Sequence, residues 1–318
     1  MPGIAVPSIL ITGGSGHLGR WVVRLAKGKR GHREPATTAV TATYLTHPVR
    51  EPGIHWRQLD VRDGKAVERL ITETRPEVVL HTAAVNPGQG TAFDCVNIVG
   101  SGNVARAAAL VGARLIHVSS DVIFDGQEGN YVEEDPPSPI TPYGRSKALA
   151  EEEVRASGAQ AVIVRTSLIY GPAVGSDPTP LEDTPWQGWD RQTRWVVGDL
   201  KAGKPVRLFT DERRCPIWVK SLAMALLELA QSDQSKRSPS GTLHVAGSQT
   251  LSRYQFGVRL AHFHRADPAG IVPALSRESG LIRPLDCTLD CSRARALLQT
   301  PLPGVDQVLT RLRSGSTS

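Results

Sequence analysis

The run Ser8-Ile-Leu-Ile-Thr-Gly-Gly-Ser-Gly-His-Leu-Gly19 decides how this chain folds. Ser8 to Thr12 is short, apolar and β-branched, the composition of a buried strand. Arg20 to Lys29 carries a helical pattern, so a glycine-rich turn joins a strand to a helix near the start of the chain. Gly13, Gly16 and Gly19 stand at the spacing G-x-x-G-x-x-G, wider at the first gap than the standard dinucleotide fingerprint. Glycines here permit a tight turn and let backbone N–H groups at a helix N-terminus approach a pyrophosphate. His17 and Leu18 lie in the same turn and are expected beside that ligand.

Further strand-like and helix-like segments alternate along the chain. Ala39 to Leu45, Ile54 to Leu59, Val78 to Ala84, Arg114 to Ser119 and Ala161 to Ile169 read as strands. Gly64 to Thr74, Val96 to Val111 and Pro142 to Ala156 have helical composition. The pattern predicts an α/β fold with a doubly wound parallel sheet, whose ligands sit at the carboxyl ends of the strands. Residues of interest do follow strands: Gly13, then Asp60 and Val61, Ala83 and Ala84, and Ser119-Ser120-Asp121.

After Gly171 the character changes. Pro172 to Trp189 is rich in Pro, Asp, Thr and Trp without a period and reads as an insertion or lid. Trp195 to Gly203 suits a helix, Val206 to Thr210 a strand and Val219 to Ala230 an amphipathic helix. The polar linker Ser232 to Gly241 follows, then a strand at Thr242 to Ala246 and a helix at Arg253 to His264. Ala294 to Leu298 and Val305 to Leu312 offer two short helices. Residues 1–171 with about 216–247 are expected to form a dinucleotide-binding domain. About 172–215 with 248–313 would form a substrate lobe, and 314–318 a frayed tail.

A second stretch, Tyr143-Gly-Arg-Ser-Lys147, carries candidate chemistry. Thr141 is a natural N-cap and Pro142 suits the first helical position. Tyr143 and Lys147 then share one helix face. A phenol with a pKa of about 10 is a poor proton exchanger near neutrality. A lysine cation one turn away and the positive helix end both favour the phenolate, which makes a usable acid or base. The same spacing on an exposed helix is ordinary decoration. Ser119-Ser120-Asp121 at a strand end argues against that plain reading.

Hydrophobic residues make up 40% and charged residues 21%, an ordinary balance for a soluble protein. No apolar run reaches the roughly 20 residues that cross a bilayer. Met1 to Ser8 lacks a basic region followed by an apolar one, so a signal peptide is not expected. Cys95, Cys215, Cys287 and Cys291 are irregularly spaced and read as reduced thiols in a cytoplasmic protein. The net charge is +6, but Lys and Arg are scattered and aromatics are only 5%, which disfavours nucleic-acid binding. Such a charge fits an anionic small-molecule substrate. Neither His17 nor His81 has a partner at metal-ligand spacing, and no metal is expected. Glu133-Glu134-Asp135 reads as a solvated acidic turn. Trp186, Trp189, Trp195 and Trp218 suit either a sugar site or the lobe's own core, with the balance most even for Trp218.

Taken together, Thr12-Gly13-x-x-Gly16-x-x-Gly19, Ser119-Ser120-Asp121 and Tyr143-x-x-x-Lys147 resemble the extended short-chain dehydrogenase/reductases. Val118 to Gly126, Glu133 to Pro139, Val164 to Gly171 and Gly241 to Gly247 resemble the dTDP-4-dehydrorhamnose reductase branch. Gly112 to Asp121 and Leu289-Asp-Cys-Ser292 are also similar to the regulatory β subunit of methionine adenosyltransferase. The resemblance covers nearly the whole chain and is weakest from Pro172 to Arg194.

The resemblance implies that Tyr143 delivers a proton to a ketone oxygen and that Ser120 hydrogen-bonds that oxygen. Lys147 would hold the nicotinamide ribose and lower the tyrosine pKa. Asp60, Val61, Ala83, Ala84, Asn97 and Ser119 would line the cofactor cleft. Val85, Asn86, Asp121, Val122, Leu168, Arg213 and Trp218 are candidate substrate contacts, with Arg213 and Arg214 suited to a nucleotide pyrophosphate. Val122 and Leu168 stand where the branch usually has Tyr and Trp, which leaves the sugar open. After the second strand come Thr46, His47 and Arg50, with no acid before Glu51, so NADP is expected over NAD. The implied activity is reduction of a nucleotide-linked 4-keto-6-deoxy sugar, with a homodimer left open. The alternatives are a non-catalytic NADP-binding subunit of an adenosyltransferase and an epimerase or dehydratase of the same fold.

Overall fold

The computed structural model describes residues 7–28, 40–49, 52–88, 90, 92–174, 185–232 and 241–314. Expectations for Arg50, Glu51, the middle of the 172–189 insertion, most of the 232–241 linker and the last residues of the tail lie outside them.

The first half of the chain alternates as expected. It runs β1 (Ile9–Thr12), α1 (His17–Gly28), β2 (Val40–Tyr44), β3 (His55–Gln58), α2 (Gly64–Thr74) and β4 (Val78–His81). A π-helical turn, Asp94–Val99, leads into α3 (Gly100–Val111), followed by β5 (Arg114–Ser120) and α4 (Pro142–Ala156). The sixth expected strand is broken into β6 (Ala161–Thr166) and β7 (Ile169–Tyr170). The helix expected from Val96 begins earlier, as the π turn, a form frequent at functional sites.

The second half contributes α5 (Arg191–Lys201), β8 (Val206–Phe209), β9 (Arg213–Arg214), β10 (Ile217–Trp218), α6 (Val219–Gln231) and β11 (Gly241–His244). β12 (Leu251–Ser252), α7 (Arg253–Phe263), β13 (Ile271–Ala274), α8 (Ser292–Leu297) and α9 (Val305–Arg313) complete it. α5 starts before the expected Trp195 because Asp190 caps it, accepting from the Gln192 and Thr193 N–H groups at 3.0 Å each. β13, which the sequence pattern does not announce, pairs in parallel with β8.

The main sheet has seven parallel strands in the order β11-β6-β5-β4-β1-β2-β3. From β1 the chain builds outward to β2 and β3, then returns to add β4 on the other side. The resulting crevice between β1 and β4 is where this class of sheet binds ligands. β1 is buried at every position, which explains its unbroken apolar run. α2, α3 and α4 cover one face of the sheet and α1 and α6 the other. A separate apolar cluster unites Tyr170, Trp189, Val196, Val197, Leu208, Trp218, Phe256 and Leu260. Among the described residues no helix is long and apolar enough to cross a membrane.

Candidate active site

The glycine turn lies at the β1/β4 crevice. Gly13 has φ +69°, and a Cβ on it would lie 2.6 Å from the Ala83 backbone nitrogen. A Cβ on Gly19 would overlap the Gly13 carbonyl oxygen and come within 2.8 Å of the Gly14 Cα. Only glycine lets the turn close this tightly against β4 and start α1 at His17. The Leu18 side chain enters the core, so only its backbone is available to a ligand. His17 is half-buried, and its Nε2 has no hydrogen-bond partner among the described residues.

Ser15, Arg20, Leu45, Thr46, His47, Pro48 and Val49 line a cleft of about 460 Å³ beside this turn. Thr46 Oγ1 and His47 Nδ1 are hydrogen-bonded at 2.8 Å. Arg20, which sequence reasoning missed, brings a buried Nε with no hydrogen-bond partner among the described residues. Its position immediately after Gly19 was the available signal. Among the described residues the cleft thus offers a guanidinium and hydroxyls and no carboxylate.

Asp60 is held by its neighbour: Arg62 donates to its two oxygens at 2.9 and 2.6 Å, which keeps the carboxyl below its usual range. Val61 is buried below Gly100. Ala83 and Ala84 are half-buried where β4 ends. Asn97, expected at the cofactor, is instead a buried pin. Its Oδ1 accepts from the Val85 N–H at 2.9 Å, and its Nδ2 donates to the Val85 carbonyl and to Ser146 Oγ at 3.1 and 3.0 Å. It therefore ties the segment after β4 to α4.

α4 presents Tyr143. Thr141 Oγ1 caps the helix by accepting from the Gly144 N–H at 3.0 Å, and Pro142 opens its first turn. The Tyr143 hydroxyl donates to Asn86 Oδ1 at 3.1 Å, and the ring meets Phe93 edge-on. Burial and the neighbouring Asp121 carboxylate push the phenol up from its ordinary value, while the Ser120 hydroxyl within hydrogen-bonding reach pulls it down. The expected lowering by Lys147 is not part of this arrangement, since its Nζ donates to the Val118 carbonyl at 2.7 Å. A protonated phenol suits a proton donor. Burial lowers Lys147 to about 8, against the opposing effect of Glu151.

Ser119 and Ser120 point to opposite sides of β5, as successive strand residues must. Ser119 Oγ is taken by Glu151 Oε1 at 2.6 Å, which corrects the expectation that its side chain faces the cofactor. Ser120 is left on the site side, donating to Asp121 Oδ1 at 3.2 Å. Asp121 is buried, accepts from Ser167 Oγ at 2.6 Å and faces Arg214 Nε at 3.7 Å. Burial raises its carboxyl above the usual range. Val122 is half-buried in the single 3-10 turn, Asp121–Ile123, that follows the strand.

Beneath this layer lie two stacked histidines on adjacent strands. His81 and His117 have ring centroids 5.3 Å apart. His81 bonds Thr12 Oγ1 at 2.6 Å and Ser101 Oγ at 3.1 Å, so it is a packed residue. Burial holds His81 down to about 3 from an ordinary 6.5. As pH falls from about 6.5 to about 3 the unfolded chain takes a proton that the native state refuses. Native stability therefore drops on acidification, by about 1.4 kcal/mol per pH unit for such a group. His81→Gln should flatten the fall in urea midpoint across this window. Parallel wild-type and variant curves would show that His81 is not the group excluded from protonation.

On the substrate side the two adjacent arginines divide. Arg213 faces outward and pairs with Asp286 at 3.5 Å. Arg214 is buried, reaches Asp121 and donates to the Pro284 and Leu285 carbonyls at 2.9 and 2.8 Å. Strand alternation could have separated them. Arg253 and Arg283 join this group around the buried Glu212, which Arg283 Nη2 bonds at 2.9 Å and Arg253 Nε approaches at 3.8 Å. Burial lowers Arg253 to about 10, with Arg214 adding to the effect. Three guanidiniums thus face two carboxylates, Glu212 and Asp121, leaving an excess of positive charge.

Trp218 is corrected to a core residue: it is 5% exposed and packs on Tyr170 and Trp189 at 5.4 and 5.6 Å. Leu168 also packs against this cluster. The acidic turn is not simply solvated. Glu133 Oε1 accepts from the His244 N–H at 3.0 Å, and Glu134 pairs with Arg293 at 2.6 Å. Cys215, Cys287 and Cys291 are buried free thiols, and Cys95 is exposed. No group of His, Cys, Asp or Glu among the described residues is arranged to hold a metal ion.

Residues 7–314 match the family model described as RmlD substrate binding domain. The chain is 30% identical over 302 residues to the rat protein named methionine adenosyltransferase 2 subunit beta, covering 92% of this chain and 84% of that one. It is 31% identical over 318 residues to a probable low-salt glycan biosynthesis reductase of Haloferax volcanii, covering 96% of each. The crystal structure of a hypothetical dTDP-4-dehydrorhamnose reductase from Sulfolobus tokodaii superposes with a TM-score of 0.75 at 29% identity. That match covers 95% of this chain and 98% of the other.

Proposed function

Since the chain belongs to the RmlD substrate binding domain family, we propose that it is an NADPH-dependent reductase of a nucleotide-linked 4-keto-6-deoxy sugar. One observation carries this reading. The Ser120 and Tyr143 hydroxyls converge beyond the carboxyl ends of β4 and β5, beside a glycine turn on the adjoining β1. We also infer two lobes, a dinucleotide-binding domain of residues 1–171 with about 216–247 and a substrate-binding lobe of about 172–215 with 248–313.

The residues present fit a dinucleotide. Gly13 and Gly19 let the turn close against β4 and its own backbone, which sets the N-terminus of α1 at the crevice where a pyrophosphate would approach. A bound reduced nicotinamide would supply the hydride to the carbonyl carbon. Tyr143 gives its proton to the carbonyl oxygen. Ser120 turns its hydroxyl from Asp121 to that oxygen as negative charge develops on it. Lys147 would hold the ribose, and Arg214, Arg253 and Arg283 supply the charge that a nucleotide diphosphate needs.

The buried, unpartnered Nε of Arg20 supports NADP, because a 2′-phosphate would give that guanidinium an anionic partner. Loss of reduced-nicotinamide absorbance tests both claims, using dTDP-, UDP- and GDP-4-keto-6-deoxy sugars with NADPH or NADH. Arg20→Gln should raise KM for NADPH roughly 10- to 100-fold, the worth of one charge-assisted hydrogen bond, and leave KM for NADH nearly unchanged. An unchanged NADPH/NADH preference would remove Arg20 from the 2′-phosphate.

A second reading is a subunit that binds an adenosyltransferase, favoured by the 92% coverage in the match to the rat β subunit. Absence of turnover on every sugar, together with co-purification of an adenosyltransferase, would select it. Turnover that consumes reduced cofactor also separates the reductase from an epimerase or dehydratase.

A further inference from the structure

α4 carries Tyr143, Lys147, Glu151 and Arg155 at successive four-residue steps, so all four share one face of the helix. Glu151 is fully buried, an expensive place for a carboxylate. Its oxygens are nevertheless saturated. Ser119 Oγ donates at 2.6 Å, Arg165 donates through Nε at 3.1 Å and Nη2 at 2.9 Å, and Arg155 donates at 2.8 Å. Ser119 and Arg165 are register partners on β5 and β6. The carboxylate therefore bolts α4 to two strands, one residue from the Val118 carbonyl that receives Lys147 Nζ.

We propose that Glu151 is a positioning residue of the site, whose locked carboxylate keeps the buried Lys147 ammonium charged and in register below Tyr143. A buried ion pair replaced by apolar packing often leaves stability unchanged or improved, so anchoring alone does not account for a carboxylate here. Lys147 is 3% exposed and donates to one carbonyl, which leaves its charge mostly uncompensated. Among the described residues, the titratable groups that interact with it are Glu151 on its own helix, His81 on β4 and His117 on β5. His81 and His117 are held neutral by burial. Asp121 is engaged by Arg214 and the Ser120 and Ser167 hydroxyls. Glu151 is the opposing influence that counters the burial of Lys147.

The inference rests on Lys147 belonging to the site, and its test reads the lysine itself, with no substrate or cofactor added. The chain has eight lysines. Selective 13Cε-lysine NMR of the full-length protein can therefore follow each one, with Lys147 identified by the signal lost in Lys147→Arg. In the wild type this signal should titrate near pH 8. In Glu151→Gln the midpoint should fall by about one pH unit or more, the effect of removing an opposite charge one turn away. Glu151→Gln takes the carboxylate partner from the buried Arg165, so a second variant guards against loss of folding. The double variant Glu151→Gln/Arg165→Gln removes both buried charges and should show a smaller fall of the same sign. An unchanged midpoint in either folded variant overturns the proposal, whether or not the protein proves to be a reductase. Failure of every sugar to react, with the shift present, would instead overturn only the reductase reading.

Discussion

Tyr143→Phe is expected to lower turnover by roughly two to four orders of magnitude while cofactor affinity stays within about twofold. The substitution removes one oxygen and keeps the ring that packs edge-on against Phe93. The hydrogen bond it breaks, to Asn86 Oδ1, lies near the surface, where the loss costs little stability. The loss should therefore fall on kcat, as it does for a group that acts only in the transition state. Lys147→Ala provides the contrast, because it should weaken cofactor binding and turnover together. Near-normal kcat in Tyr143→Phe would mean that the proton comes from elsewhere, with Asp121 the first suspect, since burial already favours its protonated form.

Gly19→Ala should be comparably damaging by an unrelated route. The added methyl would overlap the Gly13 carbonyl oxygen and press on the Gly14 Cα, and neither backbone atom can swing aside like a side chain. The turn would have to open, moving Gly13 off Ala83 and α1 off β1. We expect a destabilisation of about 2–4 kcal/mol, typical of overpacking or backbone strain at a constrained site. Cofactor affinity should fall at least a hundredfold, because the backbone N–H groups lose their alignment. Chemical denaturation and cofactor titration measure the two effects separately. Normal affinity in a folded Gly19→Ala protein would show that the turn is not the pyrophosphate cradle.

Much of this was legible from local signals. The strand-turn-helix at Ser8 to Gly19, the capped helix at Thr141 and the strand-end serines are short-range features, and short-range chemistry formed them. Asn97 and Ser119 were found as site residues, but their side chains serve neighbouring protein groups. Their partners, Ser146 and Glu151, come from a helix that only tertiary packing brings near. Glu212, Arg253 and Arg283 stand far apart in sequence, and no spacing rule links them. Trp218 stayed open between sugar and core for a related reason: an aromatic beside a polar turn reads the same whether it meets a sugar or Tyr170 and Trp189. The pair Arg213 and Arg214 could have been resolved by strand alternation, had β9 been recognised as a strand.

The seventh strand has a consequence for how the protein is made. β11 pairs with β6, yet about eighty residues of chain separate them. At a synthesis rate of about 5–20 residues per second, β6 leaves the ribosome some 4–16 seconds before its outer neighbour. Throughout that interval it is an open edge with unpaired N–H and C=O groups, and for most of it the flanking apolar residues also await α6. The nascent chain is thus most exposed to wrong pairing just when its glycine turn and Tyr143 helix are already complete.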